Sequence, residues 1–207
     1  MPIAFKEWAV TVRALSEGEQ LLTIVAGDGP AAELEHENFF LYPTFEHETN
    51  DLVREAHHPE LGRALEEGVW PDEEPAPRDL LRDGGIAQPD RVRIRAWAQL
   101  VGRVRVANPK VIDGLSPFYV WTPDYAVRRL GWRPGRPLNL LLLRVHRIPR
   151  PVTVRVREEA RTDPVWVEIE RDLPFEGTPV MADDEFDRAV TEIKTVCLTG
   201  ERTPALA

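Results

Sequence analysis

Residues 91–106 read RVRIRAWAQLVGRVRV, and arginine alternates with apolar residues at both ends of this stretch. Residues 154–157, which read VRVR, repeat the pattern. Successive side chains of a β-strand point to opposite faces, so arginines spaced by two share one face and the apolar residues share the other. The alternation therefore predicts strands that each have one buried face and one arginine face.

The charge of the chain is segregated along its length. The 207 residues carry a formal net charge of −9. Residues 1–90 contain 6 Lys and Arg against 20 Asp and Glu, residues 91–157 contain 15 against 2, and residues 158–207 contain 5 against 13. A basic segment thus lies between two acidic flanks. Its arginines are expected to meet either a negatively charged partner or the flanks themselves.

A single domain, residues 1–207, is expected from the chain length and from a hydrophobic content of 43%. We divide it into an acidic N-terminal part (1–69), a proline-rich connector (70–90), the basic β-rich segment (91–157) and an acidic C-terminal strand and helix (158–207). The only cysteine is Cys197, so no disulfide forms within the chain. The apolar runs are too short to cross a bilayer. We expect a cytoplasmic protein with no cofactor and no membrane partner, and the sequence leaves the oligomeric state open.

Periodicity and turn signals predict the secondary structure around the basic segment. Spacing-two patterns predict strands over 5–15 and 165–170, and apolar runs predict strands over 21–25, 39–42 and 138–148. The strands over 5–15 and 21–25 would form an opening β-hairpin. Capping residues and helical spacing predict helices over 50–68, over 122–130 and from Asp183 or Asp184 onward. The predicted fold is an α+β domain with a mixed or antiparallel, barrel-like β-sheet and three or four peripheral helices.

Five short strings stand out, reading KEWA at 6–9, FFLYPTFEH at 39–47, VWTPDY at 120–125, RRLGW at 128–132 and LLLRV at 141–145. They resemble the bacterial domain of unknown function 1802 family over about residues 4–157. The family has a basic, glycine-containing string where this chain has AGDG at 26–29, and of a Gly-Cys-x-Ser-Trp string only Trp166 is kept. The resemblance implies one continuous unit and no assigned activity.

Histidines and glutamates cluster between residues 33 and 58, a combination that suits a divalent transition metal or a general acid/base pair. In an extended chain each histidine faces away from its neighbouring glutamates, so a site would need ligands from two segments. The candidate catalytic residues are His47, His36 and Glu46, with Glu35 and Glu37 as further choices. No metal site is predicted from the pattern itself, and His36 and His47 are the candidate ligands if one forms. The alternative is that His47 bonds within a turn and that His57 and His58 lie on a solvated helix end.

No HExxH string, serine nucleophile elbow or phosphate-binding Gly-Lys-Ser/Thr loop occurs, so we favour a binding module over an enzyme. Arginine with exposed aromatic rings is typical of surfaces that bind single-stranded nucleic acid. A small β-barrel of the PUA or ASCH type would present such a surface, by analogy. The predicted ligand-binding residues are Arg93, Arg95, Arg103, Arg105, Arg144 and Arg147, with Trp121 as a stacking ring. The alternatives are a metal-assisted hydrolase or nuclease, docking of an acidic protein partner, and ion pairing within the fold.

Overall fold

The computed structural model describes residues 2–27, 36–45, 50–69, 89–128, 131, 137–157 and 165–202. Within these ranges eight strands form one sheet and five α-helices pack around it. The strands are β1 (Ile3–Trp8), β2 (Leu22–Ala26), β3 (Asn38–Thr44), β4 (Gly68–Val69), β5 (Arg91–Val106), β6 (Leu138–Arg155), β7 (Trp166–Glu168) and β8 (Thr178–Pro179). The helices are α1 (Ala9–Glu17), α2 (His58–Ala64), α3 (Pro109–Gly114), α4 (Pro123–Arg128) and α5 (Asp183–Arg202).

The sheet is mixed, as predicted. Its strand order is β2-β6-β5-β3-β1-β7, with β4 paired to β5 and β8 paired to β6. β1 and β3 are parallel and the other pairs are antiparallel. Strands β2 and β7 end the order and do not pair with each other, so the sheet is open and the barrel-like part of the prediction is not supported. The described residues also contain five α-helices where three or four were predicted.

The opening β-hairpin predicted over residues 5–25 is wrong. β1 ends at Trp8, and the next nine residues form α1, in which seven side chains are buried. Because this helix is buried on nearly every side, its apolar residues fit a spacing of two as well as a helical spacing. β1 pairs in parallel with β3, and parallel strands need a crossover connection, which α1 begins. Gly18 ends α1 with a φ of 81°, a left-handed conformation that glycine adopts without strain.

β5 and β6 are the two longest strands and pair along their whole length, from Arg91 opposite Arg155 to Val106 opposite Leu138. The register shifts twice, between Ile94 and Ala96 and between Leu100 and Gly102. Such irregularities bend the strands and redirect their side chains. The two arginine stretches of residues 91–106 therefore belong to one strand whose ends lie on different parts of the surface.

Apolar side chains cover both faces of the sheet. Phe39 and Leu41 of β3 belong to a core that includes Val12 of α1. Phe40 and Tyr42 point the opposite way and belong to a larger core that extends to α3, α4 and α5. Across the described part of the chain, no helix is long and apolar enough to traverse a bilayer.

Candidate anion-binding surface

The alternation predicted for the arginine strands is confirmed by burial. Val92 and Ile94 are fully buried, whereas Arg91 beside them is exposed. At the other end of β5, Arg103 and Arg105 are exposed as well. The predicted face thus exists at both ends of the strand, and the contacts of each arginine decide which of them can meet a ligand.

Two of the predicted arginines bind the acidic N-terminal part of the chain. The Arg95 guanidinium pairs with the carboxylate of Glu67, and Arg93 donates a hydrogen bond to the backbone carbonyl of Glu66. Glu67 is 1% exposed, and burial raises the pKa of its carboxyl, although Arg95 and Arg13 partly offset the effect. These contacts attach the residues that follow α2 to β5. Arg93 and Arg95 are therefore held by contacts within the fold, which was one of the predicted alternatives to ligand binding.

Arg147 and Arg144 also bind inside the fold. Arg147 donates to the Ser16 carbonyl through Nε at 3.3 Å and through a terminal nitrogen at 2.8 Å, at the last turn of α1. The Arg144 side chain is 10% exposed, pairs with the Asp183 carboxylate and lies 4.6 Å from the ring centroid of Phe186. The first contact holds α1 on the sheet and the second holds the start of α5. Neither guanidinium is available to an external anion without loss of these contacts.

Trp121 is a core residue. It is 2% exposed and stacks on Tyr125 with ring centroids 4.2 Å apart, while Trp8 meets it edge-on at 4.7 Å. A base could not reach this ring unless the core opened, so the assignment of Trp121 as a stacking ring is wrong. Trp121 lies just before α4, where the helix packs against β1 through Trp8 and Tyr125.

The histidine cluster is only partly inside the described residues. His36 is exposed and meets Trp166 edge-on, with ring centroids 5.4 Å apart. His47, Glu46 and Glu35 lie outside the described residues, so convergence of His36 and His47 stays a prediction. In the ranges that are described, no group of three or more His, Cys, Asp or Glu side chains could hold a metal ion.

The other two histidines of that region make local contacts at the start of α2. A ring nitrogen of His58 lies 2.9 Å from the carbonyl oxygen of Val53. A ring nitrogen of His57 lies 3.0 Å from the Arg54 guanidinium, and burial and then Arg54 lower the pKa of His57. Both contacts are within five residues, and the two histidines lie at the start of α2, where His58 is exposed and His57 is half-buried.

His146 is a histidine that the sequence did not single out. Its ring stacks on Trp97 with centroids 4.0 Å apart and an interplanar angle of 4°. Phe175, from the segment before β8, packs against the same Trp97 at 5.4 Å and is 40% exposed. Burial lowers the pKa of His146, and the neighbouring Arg144 lowers it further. Nothing in the local sequence marks this stack, because the two rings come from strands β5 and β6.

Arg91 and Arg155 lie directly opposite each other at the end of the β5–β6 pair, and both are exposed. The Val156 N–H donates to the Asp90 carbonyl at 2.9 Å, so the alternation of the ladder makes Arg91–Arg155 a pair with closely spaced side chains. Among the described residues, neither arginine has a hydrogen-bonded or ion-paired partner. Both arginines belong to the alternating pattern of the sequence, but only the pairing register of β5 and β6 shows that they are neighbours.

A cleft of about 220 Å³ adjoins this pair, between the end of β6 and the segment that follows β7. Arg157 in the cleft forms an ion pair with Glu170. Arg171, which the sequence did not single out, has no partner among the described residues. The charged and polar side chains of the lining are Thr153, Arg155, Arg157, Glu168, Glu170 and Arg171. We call Arg91 together with these three lining arginines the arginine cleft.

Comparison with known proteins places the chain in a family without an assigned activity. A family model described as Domain of unknown function (DUF1802) matches residues 4–192, nearly the whole chain. The chain belongs to this family, and the match extends beyond the residues 4–157 on which the resemblance was based. No curated protein sequence matches the chain.

Two solved structures are weakly similar to this chain. The crystal structure of a serine-to-alanine mutant of the ZmASCH protein from Zymomonas mobilis has 12% identity and a TM-score of 0.38, covering 77% of this chain and 90% of that one. The crystal structure of ASCH from Zymomonas mobilis has 10% identity and a TM-score of 0.36, covering 92% of this chain and 94% of that one.

Proposed function

We propose that the protein binds single-stranded nucleic acid through phosphate contacts made by the arginine cleft. The observation that carries the proposal is the pair Arg91 and Arg155, directly opposite in the ladder and without a described partner. Like charges directly opposite each other destabilise an antiparallel pair. A phosphate between the two guanidiniums would replace this repulsion by charge-assisted hydrogen bonds.

The proposal assigns a smaller role to the arginines predicted from the sequence. Arg95 and Arg144 pair with carboxylates of the acidic flanks, and these pairs would have to break before either could bind phosphate. Arg105 is exposed and has no described partner, but it lies fourteen residues from Arg91 along β5, roughly 45 Å in an extended strand. Arg103 and Arg105 could therefore contact only a longer strand that also occupies the arginine cleft.

The proposed contacts are to the backbone of the nucleic acid. The aromatic ring predicted to stack on bases, Trp121, is in the core, and phosphate contacts carry no sequence information by themselves. We therefore expect strong dependence on salt concentration and little preference for base sequence.

The proposal is tested by fluorescence anisotropy of labelled single-stranded RNA and DNA across a salt titration. On a strand with hydroxyl ends, where each of the four arginines would contact one phosphate, the slope of log K against log salt should be about −2.8, so affinity should fall roughly 50-fold between about 50 and 200 mM salt. The double variant Arg91→Ala/Arg155→Ala should retain a slope of about −1.4 and lose only about sevenfold over the same range. Arg188→Ala is the matched control, because Arg188 is an exposed arginine of α5 that does not line the cleft.

Two outcomes would contradict the proposal. One is the absence of binding to either polymer at low salt, where phosphate contacts are strongest. The other is an equal loss of binding free energy per charge removed in Arg188→Ala and in the double variant, which would indicate attraction by overall charge. If an acidic protein binds with the same salt slope while nucleic acid does not, the docking alternative is the better description.

The metal-assisted hydrolase has no observation in its favour among the described residues, and it stays a prediction for His47 and Glu46, which lie outside them. Elemental analysis of protein purified without a histidine tag tests it separately. Bound zinc or manganese that is lost in His47→Ala would support the hydrolase and would leave the arginine cleft to be judged by the salt titration.

A further inference from the structure

The interior of the arginine cleft differs from the open surface around Arg91. Three arginines and Thr153 line the cleft together with Tyr42, Val154, Val167 and Ile169. Such a mixture of cationic and apolar residues is typical of a site for a small ligand with a charged end.

The size of the cleft limits what can enter it. Its 220 Å³ corresponds to about seven water molecules at roughly 30 Å³ each, and it is smaller than the roughly 300–1,000 Å³ of sites for drug-sized ligands. A phosphate with its attached sugar fills such a space, whereas a continuous strand that crosses the open cleft would place only a short part of its backbone in it. The cleft is therefore better suited to the end of a strand than to its middle.

The ion pair between Arg157 and Glu170 indicates where an anion would lie. A glutamate carboxylate and a phosphate oxygen make the same kind of charge-assisted contact with a guanidinium. Glu170 is 66% exposed and Arg157 is 38% exposed, so water screens the pair and little stability is lost when the carboxylate leaves. Among the described residues, neither Arg155 nor Arg171 has a partner that an anion would have to displace.

The net charge of the residues that line the cleft indicates the charge of the ligand it would bind. Three arginines against Glu168 and Glu170 leave the lining one positive charge in excess, which rises to two once Glu170 has turned away. A phosphate monoester carries about −1.5 to −2 charge at neutral pH and three acceptor oxygens, while an internal phosphodiester carries a single charge. The monoester is the better match.

We propose that the cleft binds the terminal phosphate monoester of a nucleic-acid strand, with Arg155, Arg157 and Arg171 as donors and with Glu170 displaced from Arg157. This inference rests on the proposed function, because it names the part of the strand that the same site receives. Glu170 acts as an internal competitor that the ligand must replace.

The experiment compares one oligonucleotide with a hydroxyl at both ends, with a 5′-phosphate, and with a 3′-phosphate, each titrated by competition against a labelled strand. One of the phosphorylated strands should bind about tenfold more tightly than the hydroxyl form, the value of an added hydrogen bond to a charged group. Arg171→Ala should weaken binding of both forms but weaken the phosphorylated strand more, so that its advantage over the hydroxyl form is largely lost. Glu170→Gln should increase affinity for the phosphorylated strand, and Glu192→Gln on α5 is the matched control.

The outcomes separate the inference from the function on which it rests. Equal binding of all three oligonucleotides would overturn the terminal-phosphate site and leave backbone binding in place. Absence of binding to all three at low salt would overturn both. If ribose 5-phosphate competes as well as the phosphorylated strand, the ligand is a free phosphate monoester and the strand-end assignment is wrong. Weaker binding in Glu170→Gln would contradict the role of Glu170 as a competitor.

Discussion

Arg91→Glu should stabilise the fold and weaken binding at the same time. Arg91 faces Arg155 directly across the β5–β6 pair, so the substitution turns a like-charge pair into an ion pair. An opposite-charge cross-strand pair contributes about 0.2–1 kcal/mol, and loss of the repulsion adds to that value. Since 1 kcal/mol shifts Tm by about 2–4 °C in a domain of this size, we expect a rise of about 1–4 °C.

The assay is thermal unfolding at low ionic strength, combined with anisotropy titrations of single-stranded RNA. Binding should weaken because the new carboxylate both repels phosphate and occupies Arg155. Added salt should reduce the gain in Tm, since exposed charges are screened. Arg91→Gln removes the repulsion without forming an ion pair and should give a smaller rise in Tm.

Arg188→Glu controls for the change in net charge, because Arg188 is exposed on α5 and is paired there with Asp184 at 3.5 Å. It should lower Tm slightly and affect binding less than Arg91→Glu. A Tm for Arg91→Glu equal to or below that of the unaltered protein, with binding unchanged, would refute the reasoning. In that case the two arginines would neither repel each other nor contact the ligand.

Two further predictions concern the core. The pKa of His146 is lowered, so its stabilising effect is complete above the unfolded value of about 6.5 and is lost as the pH falls toward the folded value. Tm should fall between about pH 7.5 and pH 5. His146→Phe, which retains the stack on Trp97, should show a smaller fall, because His57 still contributes while the raised pKa of Glu67 acts in the opposite direction. Equal falls in the two proteins would contradict this. Trp121→Ala should lower the free energy of unfolding by about 3–5 kcal/mol in a denaturant titration, whereas a change within about 0.5 kcal/mol would contradict its burial.

The local pattern predicted what depends on local geometry. Alternation at β5 fixed which face of the strand carries arginine, because successive side chains point to opposite sides regardless of the rest of the fold. Helix starts at Pro123 and Asp183 were recognisable from their capping residues. The apolar pattern of residues 9–17 led to a wrong strand prediction. Because this helix is buried on most sides, its apolar residues do not distinguish a helical spacing from a spacing of two.

The candidate site depended on contacts between distant parts of the chain. Arg95 meets Glu67, 28 residues away, and Arg144 meets Asp183, 39 residues away, so two arginines of the predicted surface are neutralised inside the fold. The spacing of residues along the sequence cannot predict such ion pairs, because they depend on which helices pack against which strands.

The sequence by itself determined the segregation of charge, the arginine faces of β5 and β6 and membership of the family. Only the tertiary structure decided which arginines remain exposed, and for this reason our proposed site contains Arg91 and Arg155 instead of Arg95 and Arg144. The physical reason is that side-chain direction along a strand is a local property, whereas strand register, helix docking and burial are set by packing of the whole chain.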